Sequence, residues 1–131
     1  MNNLHADNMQ TISLNQILSP SCVNLFSNKC TIDEILQNAV KTLLDKNIVK
    51  SNYITSIQNI LSTLGAYGEI TSGVLLLHAE SIDYCIRLGV QICIMKYPLH
   101  FKNGNPIHTI ILLSTPDKIS HLRILKDLSQ I

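Results

Sequence analysis

The chain has 131 residues, of which 46% are hydrophobic and 15% are charged. This composition is typical of a globular protein and excludes a disordered one, and the length suits one domain with a buried core. The net charge is +1, and the lysines and arginines form no cluster. We therefore expect no nucleic-acid partner and no anionic membrane surface as a partner, but recognition by shape and local chemistry.

The N-terminal segment, MNNLHADNMQT, is polar and lacks the basic region and apolar stretch of a signal peptide. No apolar run approaches the roughly 20 residues that span a bilayer, so we expect no membrane insertion and a cytoplasmic protein. Residues 1–19 are predicted to form a partly flexible lead-in to a single domain over residues 20–131. The four cysteines include no C-x-x-C pair, so their spacing predicts no metal site, and we expect no cofactor.

The domain begins with a predicted strand and a predicted helix. The run CVNLF, residues 22–26, lies between SPS and SNKC and is typical of a short strand. Thr31 and Glu34 have the spacing of a capping box, in which each side chain satisfies a backbone N–H of the other residue. The apolar residues that follow recur at positions i, i+3, i+4 and i+7, which predicts a helix over residues 32–46.

A second helix is predicted over residues 52–64. Ser51 or Asn52 can cap its N-terminus, and Gly65 stands where the end of a helix favours a residue with a left-handed backbone. Because the link between the two helices is short and polar, we expect them to lie antiparallel.

From Gly68 onward the pattern changes from helical to strand-type. The predicted strands cover residues 69–70, 73–77, 88–95 and 107–114, with turns at residues 71–73 and 103–106. Their nearly continuous apolar runs indicate strands that are covered on both faces. The last segment returns to helical spacing, with Ile124, Leu125, Leu128 and Ile131 along one side. This order of elements predicts the α/β class, with a mixed β-sheet flanked by helices.

Two of the five histidines stand at predicted strand–helix junctions. His78 ends the apolar run GVLLLH, and His121 lies in the first turns of the helix that follows the last strand. On that helix His121 shares a side with Leu125 and Leu128, so its ring is predicted to point toward the sheet. The remaining histidines are interpreted as residues of the lead-in, of a packed connection or of the surface: His5, His100 and His108.

Two imidazoles at the strand ends of an α/β sheet, close to helix N-termini, suit an anion such as phosphate. An unprotonated imidazole nitrogen can accept a phosphoryl group, and a second ring can donate a hydrogen bond to the phosphoryl oxygens. Spacing alone favours the alternative, in which both are ordinary structural histidines with hydrogen-bond partners.

Three segments resemble the enzyme IIA domains of the sugar phosphotransferase system, with the ascorbate and mannitol–fructose groups the nearest in pattern. GAYGEITSGVLLLHAES is similar to the family segment in which the active histidine is followed by alanine. PLHFKNGNPIHTIILLSTPDKISHLRILKDLSQI resembles the second half of the family, where a strand precedes D-x-x-x-H-L-x-x-L. TIDEILQNAVKTLLDKNIVKSNYITSI resembles the helix pair of the family. The likeness runs from about residue 20 to the end of the sequence.

The resemblance implies the mannitol/fructose-type IIA fold and a phosphocarrier function. It implies that His78 accepts a phosphoryl group from the phosphocarrier protein HPr and passes it to a IIB protein or domain. His121 matches the second active-site histidine, which orients or stabilises the phosphoryl group. A homo-oligomer stays open, and so does the sugar, because specificity in this system lies mainly in the membrane component.

The sequence also departs from the family pattern. Leu77 stands where the family usually has proline, and the family's last short element has no counterpart after HLRIL. Besides sugar transport, one alternative is a regulatory module, alone or from a transcription regulator, that controls a partner through its phosphorylation state or through binding. Another is a domain that keeps the fold and no chemistry. The presence of both histidines favours the regulatory alternative over the inert one.

Overall fold

The computed structural model describes residues 19–65, 68–79, 81–102, 104–117 and 126. Its elements, in chain order, are a 3-10 turn (Pro20–Cys22), β1 (Val23–Phe26), α1 (Ile32–Asp45), α2 (Tyr53–Leu64), β2 (Glu69–Thr71), β3 (Val74–His78), a second 3-10 turn (Ile82–Tyr84), β4 (Gly89–Leu99) and β5 (Ile107–Ser114). Nearly all of the predicted lead-in and of the predicted last helix lies outside the described residues. Within those residues, no helix is long and apolar enough to cross a membrane.

The strands form one five-stranded sheet in the order β1-β4-β5-β3-β2. β1 runs parallel to β4 and β3 runs parallel to β5, whereas the other two pairs are antiparallel. The sheet is therefore mixed, and α1 and α2 pack on it, as the sequence predicts. Because β3 and β5 are parallel neighbours, both end at one edge of the sheet, and the antiparallel β4 begins there. We name this edge, formed by His78, Ser114 and Gly89, the His78 edge.

The capping box predicted for α1 is present. The Thr31 hydroxyl accepts a hydrogen bond from the Glu34 N–H at 3.2 Å, and the Glu34 carboxylate accepts one from the Thr31 N–H at 3.0 Å. The bond from the Thr31 N–H lowers the pKa of Glu34 below its usual 4.5. The predicted apolar face of α1 is the buried one: Ile35, Leu36, Ala39, Val40 and Leu43.

The second helix begins and ends close to its predicted bounds, but its predicted side-chain cap is wrong. Asn52 occupies the N-cap position with φ −78° and ψ −2°, and its side chain makes no capping hydrogen bond within the described chain. A cap side chain reaches the first N–H groups of a helix from an extended backbone, and the backbone of Asn52 is helical. Gly65 ends the helix with a φ of 62°, as predicted.

The strand predicted over residues 88–95 is longer in the structure, because β4 continues to Leu99. Pro98 has no N–H to donate, which normally excludes proline from a paired strand. Here β1 pairs only with residues 92–95, and the ladder to β5 shifts between Ile94 and Leu99. Pro98 therefore lies where the sheet is irregular and can accommodate it.

Side chains of the sheet alternate between two apolar clusters, one on each face. The larger cluster lies between the sheet and the two helices, and the strands contribute Leu75, Leu77, Cys93, Met95, Ile107, Ile110 and Leu112 to it. The smaller cluster lies on the opposite face and contains Cys22, Leu76, Val90, Ile111 and Leu113. The prediction that the central strands are buried on both faces is therefore confirmed.

A buried hydrogen bond joins α2 to the end of β5. The side chain of Tyr53 is fully buried, and its hydroxyl donates to the Leu113 carbonyl at 2.8 Å. Burial raises the pKa of Tyr53 well above its usual 10.0, so the hydroxyl keeps its proton and remains a donor.

A second network lies at the opposite edge of the sheet. The Glu69 carboxylate accepts hydrogen bonds from the Asn105 side chain at 2.8 Å and from the Gly73 N–H at 3.1 Å. The Asn105 bond and, after it, the Gly73 bond lower the pKa of Glu69 below its usual 4.5. Glu69 thereby ties the turn before β3 to the turn before β5, and the two parallel strands begin together.

Replacing Tyr53 with Phe removes its hydroxyl and takes this donor from the Leu113 carbonyl. We expect the free energy of unfolding, measured by urea denaturation, to fall by about 1–2 kcal/mol. Tyr97→Phe is the matched control, because Tyr97 is 46% exposed. The control should change the free energy by less than about 0.5 kcal/mol. Equal effects of the two substitutions would contradict a stabilising role for the buried bond.

The lowered pKa of Glu69 makes its contribution to stability depend on pH. A carboxyl group with a lower pKa in the folded state stabilises the fold above its unfolded pKa, and this stabilisation is lost as the pH falls through the folded pKa. The difference in unfolding free energy between the unsubstituted protein and Glu69→Gln should be constant above about pH 5.5 and shrink below it. In an Asn105→Ala background the difference at neutral pH should be smaller. A difference that grows on acidification would show that Glu69 does not act through its charge.

Candidate functional site

The candidate nucleophile, His78, is the last residue of β3. Strand alternation places its side chain on the face of Leu76, away from the two helices. Its chain neighbours are buried, since Leu77 is 3% exposed and Ala79 is 8% exposed. The His78 side chain itself is exposed. The ring therefore stands at the end of a strand, and its side chain is exposed.

A hydrogen bond of the His78 ring fixes its tautomer. Nδ1 lies 3.1 Å from the carbonyl oxygen of Ala79. A carbonyl oxygen can only accept, so Nδ1 carries the proton of the neutral ring and the lone pair lies on Nε2. This arrangement makes Nε2 the nitrogen that can form a new bond.

The end of β5, next to His78, is held in place from two directions. Leu113 is the register partner of His78, and its carbonyl accepts the buried tyrosine bond described above. Ser114 is fully buried, and its hydroxyl donates to the Arg87 carbonyl at 2.8 Å. The chain therefore leaves β5 at Thr115 from a fixed position at the His78 edge.

The second predicted site residue, His121, lies outside the described residues, and so does His5. The predicted proximity of the His78 and His121 rings therefore stays a prediction. One feature agrees with it: the segment that contains His121 begins at the His78 edge, because β5 ends there beside β3.

The other two histidines lie at the opposite edge of the sheet. His108 is near the start of β5, where its backbone N–H donates to the Gly73 carbonyl at 2.9 Å. Its ring nitrogen Nδ1 lies 2.8 Å from the Thr109 hydroxyl. His100 directly follows β4. Their positions agree with the interpretation that neither belongs to the site of His78.

Cys93 is not an alternative nucleophile. Burial raises the pKa of Cys93 to about 12, so this residue remains a thiol within the larger core cluster. Across the described ranges, no group of three His, Cys, Asp or Glu side chains could hold a metal ion.

Ser114 and Arg87 contribute to the His78 edge, although the sequence patterns did not single them out. Ser114 could have been found from the sequence, because it ends an otherwise apolar run. A serine that is buried there needs a hydrogen-bond partner for its hydroxyl. Nothing in the sequence identifies the Arg87 carbonyl as that partner.

Comparison with known proteins links this site to a family. Residues 16–131 match the family described as phosphoenolpyruvate-dependent sugar phosphotransferase system, EIIA 2. The mannitol-specific cryptic phosphotransferase enzyme IIA component of Escherichia coli K12 is 26% identical over 119 residues, which make up 90% of this chain and 81% of that relative. The family match includes the strands, both described helices and His78.

Solved structures share the fold. A solution structure of the mannitol-specific cryptic enzyme IIA from Escherichia coli has a TM-score of 0.77 at 25% identity, covering 91% of this chain and 82% of that chain. A Streptococcus pyogenes structure assigned to a PTS IIA domain has a TM-score of 0.65 at 24% identity, and the match covers 76% of this chain and 65% of that one. Enzyme IIA of the mannitol system, solved in complex with phosphorylated enzyme IIB from Escherichia coli, has a TM-score of 0.68 at 14% identity and covers 86% and 79% of the two chains.

The last two structures are less than 25% identical to this chain, so their similarity shows only a shared fold, the mixed sheet of the mannitol-type IIA domains. The family match covers all of the described residues, including the strand that ends in His78. The chain therefore belongs to the EIIA 2 family of the phosphoenolpyruvate-dependent sugar phosphotransferase system.

Proposed function

We propose that the chain is a phosphocarrier that accepts a phosphoryl group from HPr on His78 and passes it to a IIB component, in the cytoplasm. The observation that carries this proposal is the geometry of the His78 ring. Its Nδ1 is 3.1 Å from the Ala79 carbonyl, so the lone pair lies on Nε2, and the ring is exposed at the end of a rigid strand. Membership of the EIIA 2 family supports the same chemistry.

The two transfer steps balance without any further reactant. In the first, the Nε2 lone pair of His78 attacks the phosphorus atom of phosphorylated HPr, and the phosphorus–nitrogen bond of the donor breaks as the new one forms. The phosphorylated ring is stabilised by the hydrogen bond from Nδ1–H to the Ala79 carbonyl. In the second, a cysteine thiolate of the IIB component attacks the phosphorus atom, and the bond to Nε2 breaks.

His121 is proposed to stabilise the phosphoryl group during these steps. The topology supports this role, because the segment that follows Thr115 begins at the edge where β3 ends. An imidazole N–H directed at the phosphoryl oxygens would offset the charge that develops on them in the transition state.

The proposed recipient is supported by a structural neighbour, since the mannitol enzyme IIA of Escherichia coli has been solved with phosphorylated enzyme IIB. Surface exposure of His78 is consistent with transfer between two proteins. In each step the donor group and the acceptor group, on different proteins, must reach the same phosphorus atom.

One observation favours a regulatory module as the second candidate function. Leu77 is buried and pairs with Leu112, so the ladder of β3 continues up to His78. A proline at this position has a fixed φ and no N–H for the ladder, so the backbone before His78 would be held differently. A regulatory module requires phosphorylation of His78, or binding to a partner, but it does not require rapid transfer to a IIB component.

Incubation with enzyme I, HPr and phosphoenolpyruvate should give an acid-labile, base-stable phosphoryl adduct, detected by radiolabelling and mass spectrometry. His78→Ala should abolish the adduct, because this substitution removes the Nε2 nucleophile. His108→Ala is the matched control, an exposed histidine at the other edge of the sheet, and should be labelled normally. Normal labelling of His78→Ala would refute the proposal. Discharge of the adduct by a IIB protein supports the carrier function, whereas a persistent adduct supports the regulatory one.

His121→Ala should still be phosphorylated but should transfer the group more slowly, by roughly 10²–10³-fold, as for the loss of one donor to a developing oxyanion. The measurement is a quenched-flow time course of transfer, with His100→Ala as the control. Unchanged transfer by His121→Ala would exclude a role for His121, and unchanged labelling of His78→Ala would instead exclude the proposed function.

A further inference from the structure

A cleft of about 380 Å³ opens where α1 ends and β4 begins. Its apolar lining, called the apolar wall below, includes Cys22, Leu88 and Val90, which belong to or pack on the smaller core cluster. Lys46 and Arg87 line the same cleft. The cleft therefore combines an apolar surface with two cations.

Neither cation forms an ion pair with an acidic side chain among the described residues. Asp45, which directly precedes Lys46, is instead paired with Lys41 at 2.8 Å. Lys46 instead donates to the Ser21 hydroxyl at 2.7 Å, and Arg87 donates to the carbonyls of Lys46 and Asn47. All of these acceptors are neutral, so neither cation is paired with a carboxylate of the described residues.

These contacts orient the cations without using all of their donors. A lysine ammonium and an arginine guanidinium each have more N–H groups than the contacts of Lys46 and Arg87 occupy. The guanidinium fork matches the spacing of two phosphate oxygens, and an ammonium binds phosphate as a point charge. Ser19 also lines the cleft, and a serine hydroxyl is a neutral hydrogen-bond donor.

The cleft is separate from the site of His78, although both lie at the His78 edge. Val90 and His78 pair with Leu113 from opposite sides of β5. Two strand spacings separate their backbones, about 10 Å. An anion held by Lys46 and Arg87 is therefore not the phosphoryl group bonded to His78.

We propose that the Lys46–Arg87 cleft binds a small phosphate monoester. The two cations bind the phosphate dianion, and the apolar wall contacts the carbon part of the ester. The volume of about 380 Å³ exceeds that of a phosphate ion and lies in the range of small-molecule sites. This site requires no phosphorylation of His78, so it stands apart from the proposed phosphocarrier function.

The test uses the full chain with His78→Ala, so that phosphate cannot bind at that ring. Glycerol phosphate and inorganic phosphate are titrated at constant ionic strength, with affinity measured by calorimetry and the affected backbone N–H groups located by NMR. We expect saturable binding of the ester that shifts the signals of residues 87–90. Addition of Lys46→Gln should weaken its affinity about tenfold, as for one charge-assisted hydrogen bond.

Lys50→Gln is the matched control, because Lys50 is an exposed lysine on the same connection and does not line the cleft. It should change the affinity by less than about twofold. Arg87→Lys, which keeps the charge and loses the fork, should weaken binding, and circular dichroism should confirm that each variant is folded. Equal losses in Lys46→Gln and Lys50→Gln would mean unspecific charge attraction and overturn the proposal.

Two further results would also overturn it. If the ester binds the unsubstituted protein but not His78→Ala, the ligand occupies the His78 site, and the phosphocarrier function is untouched. If a poly-glutamate peptide binds while glycerol phosphate does not, the cleft is a docking surface for an acidic protein segment. Tighter binding of the ester than of inorganic phosphate supports the contact with the apolar wall.

Discussion

The parallel pairing of β3 with β5 determines the arrangement of the whole His78 edge. Because the two strands are parallel neighbours, the residues that follow both of them emerge together, while the antiparallel β4 starts at the same place. The register sets which face each side chain occupies. A slip of β3 by one residue would turn His78 into the core beneath the helices and expose Leu77 instead. The Glu69 bonds at the other edge oppose such a slip, because they join the turns from which both strands start.

Much of the fold could be predicted because its signals are local. The capping box of Thr31 and Glu34 lies within one helical turn, and the buried face of α1 repeats with the period of the helix. The differences occur where a single position depends on its surroundings. Asn52 is a good capping residue in isolation, but the preceding connection gives it a helical backbone. Pro98 is accepted in β4 because the neighbouring strands leave that part of the ladder irregular.

The position of His78 could be predicted, because an apolar run that ends in an imidazole is visible in the sequence. Its supporting contacts could not. Tyr53 reaches the Leu113 carbonyl across 60 positions, and Ser114 reaches the Arg87 carbonyl across 27 positions. Both acceptors are backbone carbonyls, which every residue has, so no residue type marks them. The role of His121 follows from the resemblance and the topology, since spacing alone favours two structural histidines.

The sizes of the electrostatic effects indicate that the charges of the Lys46–Arg87 cleft have little influence on the His78 ring. At about 10 Å in water, one unit charge contributes only about 0.4 kcal/mol at the His78 ring, and salt screens it over about 8 Å. A hydrogen bond between neutral groups is worth about 0.5–1.5 kcal/mol. The Ala79 carbonyl, at 3.1 Å from Nδ1, therefore affects the ring more than Lys46 or Arg87 does. A ligand in the cleft would affect His78 little through charge. Coupling between them would have to pass through the structure of β5, which pairs with both Val90 and His78 at Leu113 and is joined to the Arg87 backbone by the bond from Ser114.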